Sequence, residues 1–228
     1  MAGTSTWAAA LVIARKDVAV EVRTRAAFLS ATVFALLAAA IFYYAWDPTA
    51  VSSLDLAPGV LWVIFTFSGL LGLNRSFGAE LSERAIDGLL TAPIAREAIF
   101  LGKALANLAF LIGVQLIAIP AVILLYNVPV GRALWGIAAV GLLAAIGLVA
   151  VGTLFSAMVV NTRFAELLLP MVALPFFVPV IMAAAQATTT LVAGRPIAEA
   201  GGWIRLLGAF DLVFAAACTV AYPFTIER

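Results

Sequence analysis

Leu134 to Val160 reads LWGIAAVGLLAAIGLVAVGTLFSAMVV, twenty-seven residues in succession without a charge. About 20 apolar residues suffice for a helix to cross roughly 30 Å of hydrocarbon, so this run is a transmembrane span. Five more runs of the same kind flank it: Ala26 to Trp46, Leu56 to Leu73, Ala104 to Tyr126, Leu167 to Ala187 and Trp203 to Phe224. The whole chain has the same character, with 65% of its 228 residues hydrophobic, 11% charged and a mean hydropathy of +1.15. A soluble domain is nearer half apolar and a quarter charged, and a soluble globule is excluded. The reading is all-α: a polytopic membrane protein with six transmembrane helices, short loops and no room for a soluble catalytic domain.

Charge placement orients the spans. Thirteen Lys and Arg balance twelve Asp and Glu, so no basic excess points to nucleic acid. With the N-terminus in the cytoplasm, ten of the thirteen cations fall on the cytoplasmic side, and only Arg132, Arg195 and Arg205 fall outside. The positive-inside rule therefore puts both termini in the cytoplasm. The apolar piece Ala8 to Ala14 precedes the charges Arg15 to Arg25, the reverse of a secretory signal, so the N-terminus is expected to be retained. Trp7, Leu11, Val18 and Val22 recur at helical spacing, and residues 7–25 read as an amphipathic helix on the membrane surface. Phe42, Tyr43, Tyr44 and Trp46 fit an aromatic belt at the outer interface. The fifth loop, from about Thr188 to Gly202, reads as a loop or a short re-entrant turn.

The chain has no histidine, which removes the commonest metal and haem ligand and the usual near-neutral acid–base group. Cys218 stands alone in an apolar run and can form neither an internal disulfide nor a CxxC pair. No metal site, no cofactor of its own and no catalytic residues are expected.

Eight of the 25 charged residues lie between Arg75 and Lys103, within the longest polar stretch, NRSFGAELSERAIDGLLTAPIAREAIFLGK at 74–103. On a helical wheel Glu80, Glu83, Arg84 and Asp87 share one arc, and Leu81, Ala85, Ile86, Leu89 and Leu90 take the other. Residues 80–90 thus read as a short amphipathic helix at the cytoplasmic face, ended by Pro93. Held between two spans, such a helix can transmit force from a soluble partner. Gly102-Lys103 lacks the upstream glycine and the following Ser or Thr of a phosphate-binding loop, so ATP chemistry must come from another chain.

The run from Glu83 through Gly88-Leu89-Leu90-Thr91-Ala92-Pro93-Ile94 to Gly102-Lys103 resembles the cytoplasmic segment of ABC-2 type exporter permeases. Leu61-Trp62, Asn74-Arg75-Ser76-Phe77 and Ala209 to Ala215 narrow the resemblance to the CcmB family, the haem exporter B permeases of cytochrome c maturation, although Asn74 stands where an acid is common. The resemblance implies one ABC-2 type transmembrane domain over 1–228, with 80–90 as the coupling helix. Glu80, Leu81, Glu83, Arg84, Ile86, Asp87, Leu89, Leu90 and Pro93 would then meet the partner ATPase. It implies a CcmA-like ATPase carrying ATP, CcmC- and CcmD-like membrane proteins, a CcmE-like haem chaperone, pairing of two copies of this chain, and haem as cargo of the complex. An exporter of lipid, drug or glycan and a non-transporting membrane scaffold are the alternative readings.

Inside the spans, Asp211 sits roughly 12 Å into the last helix if that helix starts at Trp203, and a carboxylate there is costly without a partner. Arg205, on another face, is a poor partner for it. Asp211, Gln115 and the prolines Pro175 and Pro179 are the candidates for transport or subunit contact. Asn107 and Gln115 read first as hydrogen bonds between helices. Pro170, Pro175 and Pro179 are expected to kink or break span five, and broken helices often line pathways.

Overall fold

A computed structural model describes residues 6–82, 95–129, 131, 133–160, 162 and 164–226, with side chains placed outside 75–82 and 226. Seven helices follow one another: α1 Thr6–Thr24, α2 Ala26–Ala45, α3 Ser53–Ser82, α4 Arg96–Leu125, α5 Ala133–Val159, α6 Ala165–Val192 and α7 Ile197–Ile226. From α2 onward each is long and apolar enough to span a membrane. The chain is an all-α polytopic membrane protein with six apolar spans.

The spans are not equivalent. In α3 and α5, 72% and 67% of the most apolar window is buried, against 17–33% in α2, α4, α6 and α7. Thus α3 and α5 form the centre and the others wrap them. Small residues make this possible in α5, where Gly141, Ala144, Ala145, Gly147 and Gly152 are buried. Helices in lipid gain little from hiding hydrocarbon, so association relies on close backbone approach and hydrogen bonds. A methyl at Gly152 would run into Leu73 Cδ1 of α3. Beside it, Ser156 Oγ donates to Leu73 O at 2.8 Å.

Polar side chains tie the spans at several depths. Asn107 Nδ2 donates to Thr153 Oγ1 at 3.1 Å, and Gln115 Nε2 donates to Gly141 O at 3.0 Å. Trp62 Nε1 donates to Thr188 Oγ1 at 3.1 Å, joining α3 to α6. These are the interhelical hydrogen bonds that amides in apolar runs foreshadow.

Several boundaries differ from the reading of the sequence. Helix α6 runs unbroken through Pro170, Pro175 and Pro179, so the expected break does not occur. It also continues to Val192, and α7 begins at Ile197, which leaves only residues 193–196 between them. The fifth loop is a tight turn with Gly194 at φ 73°, and has no room for a re-entrant segment. At the same end, Tyr44 is exposed as a belt residue should be. Tyr43 and Trp46 instead pack on Tyr126, with ring centroids 5.6 and 5.7 Å away, while Tyr126 Oη donates to Ala39 O at 3.2 Å. Helix α3 starts just after Ser52, whose Oγ accepts from Asp55 N at 3.3 Å as an N-cap and donates to Asp55 Oδ2 at 2.6 Å.

Candidate functional site

The site begins with α1, which shares an end of the bundle with the close of α3 and the start of α4. Although α1 is chained to α2, its extensive contact is with α4 and its contact with α2 is slight. The residues that pack inward are Ala10, Ile13 and Ala14. Trp7, Leu11, Val18 and Val22, the stripe singled out from the sequence, are exposed and face away from the bundle. That division suits a helix that rests one side on protein and another on the membrane surface.

Gly102 allows the contact. A methyl at this position would lie 2.7 Å from Ile13 Cβ and 2.8 Å from Ala10 O, so no other residue lets α1 approach so closely. The next residue supplies charge. Lys103 is only 1% exposed, and its Nζ donates to Asp17 Oδ2 at 3.3 Å. Asp17 also meets Lys16 Nζ at 3.0 Å. A buried ammonium without such a partner would be costly, which makes Asp17 part of the local packing.

A second acid of α1 guards the joint with α2. Arg25, between the two helices, is left-handed at φ 55° and offers no side-chain cap. Glu21 Oε1 fills that role by accepting from Phe28 N at 2.8 Å across the joint. Asp17 and Glu21 follow Ala10 and Ala14 at spacings of three and four residues, so all four share a face. That coincidence of acids with small residues was the available signal for a protein-facing side. Residues 94–103 read from the sequence as a helix entering the third span, and α4 does start at Arg96, but the ion pair itself was not legible, because nothing in the sequence places Asp17 beside Lys103.

The other candidates are placed as follows. Glu80 and Leu81 belong to the last turn of α3, which runs without interruption to Ser82. Glu83, Arg84, Ile86, Asp87, Leu89, Leu90 and Pro93 lie outside the described residues. Gln115 is committed to Gly141 within the bundle. Pro175 and Pro179 are exposed and face outward, away from α3 and α5. Asp211 is 8% exposed, and neither of its oxygens has a hydrogen-bond partner among the described residues. It packs on α5, where a methyl at Gly147 would lie 2.7 Å from Asp211 Oδ1. Because α7 starts at Ile197, Asp211 is about 21 Å from the helix start, near the middle of the span and deeper than the sequence implied. Arg205 is turned away, its Nε donating to Gly201 O at 3.2 Å. Gln115 and Asp211 thus both pack on α5, at Gly141 and Gly147, while Pro175 and Pro179 are exposed.

Among the described residues no cluster of three His, Cys, Asp or Glu could hold a metal, and Cys218 is free and buried. Helix α1 is thus held against the start of α4 by the close approach at Gly102 and by the pair of Lys103 with Asp17.

The chain is similar to the heme exporter protein B of Rhodobacter capsulatus, with 30% identity over 172 residues, 75% of this chain and 78% of that one. It is similar to the protein of the same name from Paracoccus denitrificans, 30% identical over 207 residues, 90% and 89% of the two chains. The Haemophilus influenzae counterpart is 27% identical over 217 residues, 95% and 94% of the two chains. The model of the CcmB protein family matches residues 8–228, from α1 through all six spans, and the chain belongs to the CcmB family.

Proposed function

We propose that this chain is the permease subunit of an ABC transporter that delivers haem across a bacterial inner membrane for c-type cytochrome biogenesis. The match to the CcmB family over residues 8–228 carries the reading, and the relatives' name, heme exporter protein B, supplies its cargo. Residues 1–228 form one transmembrane domain with both termini in the cytoplasm, the orientation favoured by its ten-to-three division of cations. The engine is a CcmA-like ATPase on a separate chain. It binds the connection around Glu80 to Leu90, and its ATP cycle moves the ends of α3 and α4 that this connection joins. CcmC- and CcmD-like membrane proteins and a CcmE-like haem chaperone complete the assembly.

Haem is cargo of the complex and is not held by this chain. With no histidine in the sequence, an axial ligand would have to be Tyr, Met or Cys218. Tyr126 is committed to Ala39, and Cys218 is buried between helices.

Co-purification in mild detergent tests the reading. Tagged protein is expected to bring down an ATPase, and Leu81→Asp or Leu89→Asp to release it and lower c-type cytochrome levels. Normal c-type cytochromes in a deletion strain, together with a lipid or drug phenotype, would overturn haem delivery in favour of a general exporter.

A further inference from the structure

We infer that α1 belongs mechanically to span three, although it is chained to span one, and that Asp17 and Lys103 are positioning residues carrying motion of the polar connection into the membrane-surface helix. The inference rests on the reading of that connection as the docking segment for an ATPase, and three observations converge on it. Gly102 brings the backbone of α1 to within 2.8 Å of where its own side chain would begin, through Ala10 O. Lys103, adjacent to that contact and 1% exposed, is paired with Asp17 at 3.3 Å. Between α1 and α2 there is only Arg25, a single left-handed residue at φ 55°.

Arg25 interrupts the run of helical dihedrals between α1 and α2, whereas α1 meets α4 through both a close backbone approach at Gly102 and a buried ion pair. If the start of α4 shifts, α1 follows it, and Arg25 takes up the difference relative to α2. Glu21, bonded to Phe28 N at 2.8 Å, spans this joint and limits its excursion. The outward stripe of Trp7, Leu11 and Val22 would then move through the lipid headgroup layer together with span three.

Two measurements on the complete transporter decide this. The first is a disulfide between Ile13→Cys and Gly102→Cys, in a Cys218→Ala background, which fixes α1 to α4. A disulfide prefers about 3.8 Å between Cβ atoms, so the helices need part by only about 1 Å. Haem delivery by the oxidised protein is expected to stay within about twofold of the reduced protein, whereas a loss of about tenfold would mean that α1 must slide on span three and would overturn the inference. The second is Asp17→Asn and Lys103→Gln, singly, at equal membrane abundance. Each is expected to lower c-type cytochrome yield about tenfold while ATP hydrolysis by the bound ATPase stays within about twofold, and Lys103→Arg to restore most of the yield. Equal loss of both activities, or of neither, would overturn it. If the wild-type protein brings down no ATPase, the docking reading fails by itself. The disulfide then decides the mechanical inference through cytochrome yield in cells alone.

Discussion

The hydrogen bond between Trp62 and Thr188 should be measurable as a coupling energy. Trp62 is 1% exposed, edge-on to Phe65 at 5.4 Å, and its indole N–H is satisfied only by Thr188 Oγ1 at 3.1 Å among the described residues. Thr188 in turn donates to Ala184 O at 2.7 Å within its own helix. Trp62→Phe removes the donor and leaves a smaller ring. The void adds about 1 kcal/mol at ~24 cal/mol per Å³, and the lost bond adds about 0.6 kcal/mol, up to about 1.7. Thr188→Val keeps the shape but strands the indole N–H in an apolar interior, at a cost of about 1–3 kcal/mol. The double substitution strands nothing, so it should cost less than the two singles together by at least about 0.6 kcal/mol. Reversible unfolding in mixed micelles gives the four free energies of the cycle. A coupling within about 0.3 kcal/mol of zero would refute the claim that this bond joins α3 to α6.

Three further outcomes follow from the packing. Gly147→Ala brings a methyl to 2.7 Å from Asp211 Oδ1 and 3.2 Å from Phe210 Cδ1. It should destabilise the bundle by about 1–3 kcal/mol, and Asp211→Ala in the same chain should recover much of that in the same unfolding assay. Gly152→Val, which drives into Leu73, should cost at least as much in the same unfolding assay. In the turn after α2, Thr49 donates to Asp47 through both its hydroxyl, at 2.7 Å, and its N–H, at 2.9 Å. The hydroxyl first, then the backbone, holds the carboxyl below its ordinary range. A depressed carboxylate stabilises the turn above the unfolded pKa and loses that contribution as pH falls through the folded one. Thr49→Val should therefore raise the midpoint of Asp47 in a carboxyl-carbon NMR titration.

The six spans were legible because a bilayer admits so few solutions: a chain this apolar must satisfy its backbone within helices. Their ends were less legible. The apolar run of the fifth span stops at Ala187, before Thr188, Thr189 and Thr190. In α6 each of these hydroxyls bonds the carbonyl four residues back, which hides its polarity inside the helix. The last helix begins before Gly201 and Gly202, led in by Pro196, whose carbonyl accepts from Glu199 N at 3.0 Å. Periodicity found the helix at 7–25, and its small-residue face with Asp17 and Glu21 marked the side toward protein, but not the partner, because that contact depends on Gly102, nearly ninety residues away. The same holds for Lys103 and Asp17. Either is an unremarkable charge alone, and the pair exists only once α1 folds back over α4.

The short turns at the far end of the bundle have a geometric consequence. Residues 193–196 are all that separate α6 from α7, Asn127 turns left-handed just after α4, and Tyr43, Trp46 and Tyr126 lock α2 to α4 there. Helices stitched so tightly at one end act as levers with a fulcrum at the stitches. Helix α4 has 30 residues and is about 45 Å long, so a tilt of about 5° about that fulcrum carries its opposite end some 4 Å. The amplitude of such a tilt grows toward Lys103, where α4 holds α1, and is smallest at Thr188 and Tyr126, so a probe on α1 would report it most clearly.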